Sequence, residues 1–233
     1  MFLAVKIAIS YPNSLYFRSD SITARFGNKS AYPFDESEIV NVPSRSTTIV
    51  FKIALCLSGQ MRTFLTCLPS LEKYLITPLQ PDIFIHTWAQ VGQSVRDKSG
   101  PDKDLITLDE LSSYYDPIKA VVEEYSTDFT EKLFNVEVPE LLKEAEPLSY
   151  KGAIPMYYKI AMCNSLKQEH EAEMESKYDY VIRLRPDLQI NEPIPRRIFD
   201  EPNVLWYGDQ HFNDEKKVSD KFAIGTSEAI DTY

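Results

Sequence analysis

A chain of 233 residues, 43% of them hydrophobic, is long enough to bury one large core, or one domain with an extension. Its formal charge of -10 leaves no basic surplus to replace the counterions of a nucleic-acid backbone, which argues against DNA or RNA as a main partner. The three cysteines, Cys56, Cys67 and Cys163, are odd in number and have neither CxxC nor zinc spacing, so they read as reduced, mostly buried thiols of a cytoplasmic protein.

The first nine residues, Met1 to Ile9, are apolar, but Lys6 interrupts them and the run is far shorter than a membrane span. No small-residue cleavage site follows, so the segment reads as a strand or an extension and not as a signal peptide. Residues 10–48 are rich in Ser, Asn, Pro and Thr without sustained periodicity. They are expected to form, with the first nine, an N-terminal extension (1–48) to which no chemistry is assigned, ahead of a main domain over 49–233.

The main domain opens on Ile49 to Leu57, nearly continuous in apolar residues and bounded by Ser58 and Gly59, the pattern of a central parallel strand buried on both faces. Phe64, Cys67, Leu68, Leu71 and Leu75 then fall on one face of a helix, which Pro69 is expected to kink or restart. Strand, glycine turn and helix make the opening of a nucleotide-binding βαβ unit. The whole chain has seven glycines, so one placed in that turn stands out: Gly59 permits close backbone approach to a ligand, with Gln60 and Arg62 as polar neighbours. Neither GxGxxG nor a Walker lysine is present, and a turn glycine with no ligand remains the alternative.

Ile83 to Trp88 reads as a second strand that brings His86 to the same edge as Gly59, although a lone histidine is more often a satisfied structural residue. Residues 89–105 read as a long loop. Thr107-Leu-Asp-Glu110 fits a capping box for a helix that ends before Pro117, and Ile118 to Tyr125 is a third strand candidate. Thr127 to Ala145 is acidic and expected to be helical in part. From Pro155 to about Glu175 the spacing predicts a helix whose core stripe is Tyr158, Ala161, Met162, Ser165 and Leu166. Lys159 and Asn164 fall off that stripe and are placed to reach a ligand if the helix begins at the sheet edge.

The most informative stretch is Tyr178 to Leu188. Val181, Ile182 and Leu184 form a short buried strand with Arg183 and Arg185 two apart and on one face, and Pro186 should end it, presenting Asp187 at its carboxyl edge. In an open α/β sheet that edge is where ligands bind. Two guanidiniums beside a carboxylate suit a diphosphate, with the arginines facing phosphate oxygens and the aspartate a bridging cation. An ion-pair network tying strand to loop explains the same residues, and the segment alone leaves both open. Asn203 to Tyr207 and Ser219 to Gly225 are further strands, and Ser227 begins a helix that the sequence does not finish, as expected of a chain lacking a C-terminal piece common to its relatives.

Five blocks, Leu57-Ser-Gly-Gln-Met-Arg62, Asp82-Ile-Phe-Ile-His-Thr-Trp88, Tyr157-Tyr-Lys-Ile160, Tyr178 to Asp187 and Ser219 to Gly225, together resemble a family of glycosyltransferases with a GT-A-type fold, found in bacterial polysaccharide gene clusters and in some large DNA viruses. The resemblance covers roughly residues 50–233. It implies an α/β, Rossmann-like, mostly parallel sheet flanked by helices, and transfer of a sugar from a nucleotide-diphosphate sugar such as a UDP-sugar to a glycan or glycoconjugate acceptor. It implies that Ser58, Gly59, Gln60 and Arg62, with His86, Lys159 and Arg183, hold the nucleotide. The strand to Asp187 stands where GT-A enzymes carry an Asp-x-Asp metal motif. Here Arg185 occupies the first aspartate position and only Asp187 remains; a divalent cation, Mn²⁺ or Mg²⁺, is still expected on Asp187 because oxygen ligands and phosphates suit hard cations, with His211 as a further ligand. Arg185 is expected to neutralise charge on the leaving group, and Asp220 to act as base, with Asp209, His211 and Asp214 as weaker candidates. Two rivals are a nucleotide-sugar-binding module without turnover, and a nucleotidyltransferase, which would bind a free nucleoside triphosphate and release pyrophosphate.

Overall fold

Among the described residues seven strands form one sheet: β1 (Leu3–Ile7), β2 (Ile53–Gly59), β3 (Asp82–Trp88), β4 (Lys119–Glu123), β5 (Tyr180–Leu184), β6 (Val204–Gly208) and β7 (Phe222–Gly225). In this computed structural model the residues described are 3–7, 51–92, 105–126, 128–134, 147–202, 204–208 and 221–232. The strand order is β1-β6-β7-β5-β2-β3-β4. β2 pairs in parallel with both β5 and β3, and β3 with β4. β1 runs parallel to β6, so the N-terminal apolar segment adds a strand to the sheet. β7 lies antiparallel between β5 and β6. The sheet is therefore mixed and mostly parallel, with helices on both faces, which matches the α/β expectation at the level of a Rossmann-like arrangement.

The two faces of the sheet are built from different residues. Alternation along β2 sends Ile53, Leu55 and Leu57 to one side, where they join Ile83, Ile85, Ile182 and Leu184. Against them pack Phe64, Cys67, Leu68 and Leu71 of α1 (Phe64–Leu71), and Leu111 and Tyr115 of α3 (Leu108–Tyr115). The helix runs through Pro69 and opens into a wider π-turn at Glu72–Ile76, closing with a short α2 (Thr77–Leu79) before the left-handed residue Gln80. The kink expected at Pro69 thus takes the form of a widened turn just after it. The Thr107 hydroxyl accepts from the Glu110 amide at 3.2 Å, capping α3 as its sequence predicts. Helix α4 (Phe129–Phe134) is the described helical part of the acidic stretch.

The opposite face carries small residues, Ala54, Cys56 and Ala223. Over it lies α5 (Pro147–Glu173), which starts earlier than its sequence predicts and continues through Pro155, whose missing N–H removes one rung of the ladder without ending the helix. Its buried row is not the apolar stripe expected. Pro155, Lys159, Cys163, Lys167 and Glu171, each four apart, are buried, whereas Ala161 is exposed and Tyr158, Met162, Ser165 and Leu166 are half-buried. Periodicity of apolar residues misled because the sheet-facing side is made of lysines and a glutamate that are neutralised in place. Lys167 Nζ donates to Ser227 Oγ at 2.5 Å and Asp231 Oδ1 at 2.7 Å and lies 3.3 Å from Glu171 Oε2. Glu171 Oε1 accepts from the Tyr178 amide and the Ser227 hydroxyl, and Lys177 bridges Glu171 and Asp231. The network ties α5 to α6 (Ser227–Thr232).

Removing one member of such a network leaves a buried charge without its counterion, at a cost of about 3–5 kcal/mol. Lys167→Met is expected to lower the free energy of unfolding by about that amount, read from urea denaturation; an unchanged midpoint would show that the network does not hold α5. Burial raises the Asp231 carboxyl, but the hydrogen bonds from Lys167 and Asn164 prevail and hold it at about 2 against an ordinary 3.8. Because the folded value lies below the unfolded one, the linked stability is complete above about pH 4 and is lost as pH falls through the folded value. Asp231→Asn should flatten that acid limb in a pH series of denaturation curves.

Candidate functional site

Because β5, β2 and β3 are parallel neighbours, their carboxyl ends open side by side, and the chain leaving each one contributes to a single cleft of about 230 Å³. Ser58, Gly59 and Gln60 form its floor as β2 ends. Arg62 and Arg185 line it from the β2 and β5 sides, and Trp88 and Tyr125 supply an aromatic wall from the ends of β3 and β4. Pro155, Met156 and Ile160 of α5 complete the lining.

Gly59 has a φ of +116°, a conformation that side chains rarely adopt, and its carbonyl accepts from the Thr87 hydroxyl at 2.7 Å. The Ser58 hydroxyl is buried and has no hydrogen-bond partner among the described residues. Gly92, with φ +84°, lies so close to Gln60 that a Cβ there would come within 2.7 Å of its amide. Gln60 in turn orients Arg62: its Oε1 accepts from Arg62 Nε at 3.1 Å and Nη2 at 3.0 Å.

Arg185 is held in the same way by a charged partner. Its Nε and Nη2 donate to Asp187 Oδ1 and Oδ2 at 3.0 and 2.7 Å, a bidentate fork, and its backbone amide donates to the Lys221 carbonyl. Arg62 Nη1 lies 3.8 Å from Asp187 Oδ2. Two guanidiniums and one carboxylate thus meet at the cleft.

The structure separates the other residues singled out in the sequence. Arg183 pairs in register with Cys56 and Ala223 and is buried under α5, so of the two arginines only Arg185 lines the cleft. The difference arises because β5 ends at Leu184, which leaves Arg183 within the sheet and Arg185 beyond it. Lys159 is buried behind the aromatic wall, donating to Glu123 Oε2 at 2.6 Å, with Nζ 3.5 Å from the centroid of the Trp88 ring. Burial draws its ammonium down to about 8, with Glu123 acting in the opposite sense. His86 is buried against Tyr158, and burial together with the Lys159 charge lowers it to about 4, so its ring is neutral at neutral pH. Neither lines the cleft. Asp209, His211, Asp214 and Asp220 lie outside the described residues.

Trp88, Tyr125 and Glu123 are the residues that the sequence did not single out as part of a site. The rings of Trp88 and Tyr125 meet edge to face at 5.2 Å, and Tyr158 donates to Glu123 Oε1 at 3.2 Å. The available signal was positional: Trp88 and Glu123 end parallel strands and Tyr125 follows one, and the two rings line the cleft with Gly59. For a divalent cation the described residues are a poor fit. Both Asp187 oxygens are taken by Arg185, and no group of three or more His, Cys, Asp or Glu side chains is gathered among the described residues.

A methyl group on Gly59 would meet only Arg185 Cγ, at 4.0 Å, so the cost of Gly59→Ala is in the backbone and not in a clash. The substitution is expected to destabilise by about 1–3 kcal/mol in chemical denaturation, and a neutral result would mean that the turn relaxes. No described helix is long and apolar enough to cross a membrane. The sequence matches no family model, and a search of curated proteins gives no match.

Proposed function

We propose that the chain is a glycosyltransferase of GT-A type that moves a sugar from a nucleotide-diphosphate sugar to an acceptor hydroxyl. The observation that carries this reading is the convergence of Arg62 and Arg185 with an aromatic wall in one cleft at the carboxyl ends of β2, β3 and β5. That edge is where open α/β sheets bind ligands. Guanidiniums suit phosphate oxygens because they match them with paired donors, and Gly59 lets the backbone approach. The unpartnered Ser58 hydroxyl adds a polar group in want of a partner at the cleft floor.

In the transfer, the bond between the sugar's anomeric carbon and the donor phosphate oxygen breaks, and a bond from the acceptor oxygen to that carbon forms. The acceptor's proton passes to a base, for which Asp220 is the first candidate. The nucleoside diphosphate leaves with its bonding pair, and Arg62 and Arg185 meet the negative charge that develops on it. Fixed donors of this kind accelerate a reaction because they are already oriented when the charge appears.

A thermal-shift and calorimetric screen of UDP, GDP and their hexose conjugates tests the reading, since a ligand that binds only the folded state raises its melting point. One nucleotide class is expected to bind. Arg62→Ala and Arg185→Ala should each weaken it by about 1.5–3 kcal/mol, roughly 10- to 150-fold, the range for hydrogen bonds to charged groups. The wild-type protein should also release nucleoside diphosphate from the sugar conjugate in the presence of acceptor glycans. A protein whose melting point none of these ligands moves would sink the proposal.

A further inference from the structure

Asp187 is the residue on which the glycosyltransferase resemblance places a metal ion, yet its surroundings are those of a guanidinium partner. Its side chain is only 7% exposed, and each oxygen accepts a hydrogen bond from Arg185. A second guanidinium, that of Arg62, stands 3.8 Å from Oδ2. A divalent cation arriving there would have to displace a bidentate, charge-assisted pair while lying beside two positive side chains. Hard cations also collect six or so oxygens, and no group of three or more His, Cys, Asp or Glu side chains is gathered among the described residues.

The same contacts do something else well. Gln60 holds Arg62 through Nε and Nη2, and Asp187 holds Arg185 through Nε and Nη2, so each guanidinium is gripped along the same edge by one acceptor side chain. A long side chain gripped in that way loses its rotamer freedom before a ligand arrives, which lowers the entropy cost of binding.

We infer that the cleft takes the diphosphate of its ligand directly on Arg62 and Arg185 without a divalent cation, and that Asp187 is a positioning residue acting through Arg185. The inference rests on the reading of the cleft as a nucleotide-diphosphate site.

The test is the affinity for UDP and GDP, read by calorimetry and by tryptophan fluorescence, in EDTA and again with excess Mn²⁺. The wild-type protein should bind at least as well in EDTA as in Mn²⁺. Asp187→Asn should weaken binding by about tenfold in both conditions. Arg185→Ala and the double variant Asp187→Asn/Arg185→Ala should bind alike within about twofold, because a residue acting through Arg185 has nothing left to position once that side chain is gone. Binding that collapses in EDTA, an Asp187→Asn loss seen only with Mn²⁺, or additive losses in the double variant would each overturn the inference while leaving the nucleotide site standing. The wild-type comparison decides the metal question even if a variant fails to fold. A wild-type protein that binds neither nucleotide in either condition overturns the reading of the cleft, and the inference with it.

Discussion

The arrangement of the molecule depends on how α5 buries two lysines against a sheet. An unpaired ammonium in such a place would be very costly, so each lysine requires a carboxylate partner. Lys159 finds Glu123 at the end of β4, and Lys167 finds Glu171 and Asp231. These pairs set where the helix lies along the sheet and in which rotation. Small residues on the facing strands, Ala54 and Cys56 above all, leave room for it. Apolar packing alone would tolerate sliding of the helix, whereas paired charges with fixed partners do not.

The cleft inherits its shape from that placement. Met156 and Ile160 line it because Lys159, between them in sequence, is anchored to Glu123 behind the Trp88 ring. Trp88 stands at the junction: one side of its environment is the buried ammonium and the stacked Tyr158, and another is the cleft. The polar end is organised separately, by Gln60 on Arg62 and Asp187 on Arg185. Both arginines thereby stand where three strands end.

The strands that frame the site were legible in the sequence because they are buried on both faces and so read as apolar runs: Ile53 to Leu57, Ile83 to Ile85 and Tyr180 to Leu184. The capping box at Thr107 and the turn at Gly59 were legible because their chemistry is local. The core face of α5 was not. Its buried positions are polar, and a rule that searches for hydrophobic periodicity selects the half-buried flank in their place. The two arginines of the focal segment share a parity in sequence and yet do different work, because a strand end falls between them.

Alone, the sequence determined that the chain forms an α/β sheet with a glycine turn after its first central strand, that it carries no basic surplus, and that arginines cluster with Asp187, since these follow from residue type and short-range pattern. Only the tertiary structure decided that β7 inserts antiparallel between β5 and β6, that Arg62 joins Arg185 while Arg183 does not, and that Trp88 and Tyr125 face the same space. The reason is physical. Strand order and side-chain partnership are settled by which distant segments bury each other's surface and charge, and residues as far apart as Arg62 and Asp187 meet only after that choice has been made.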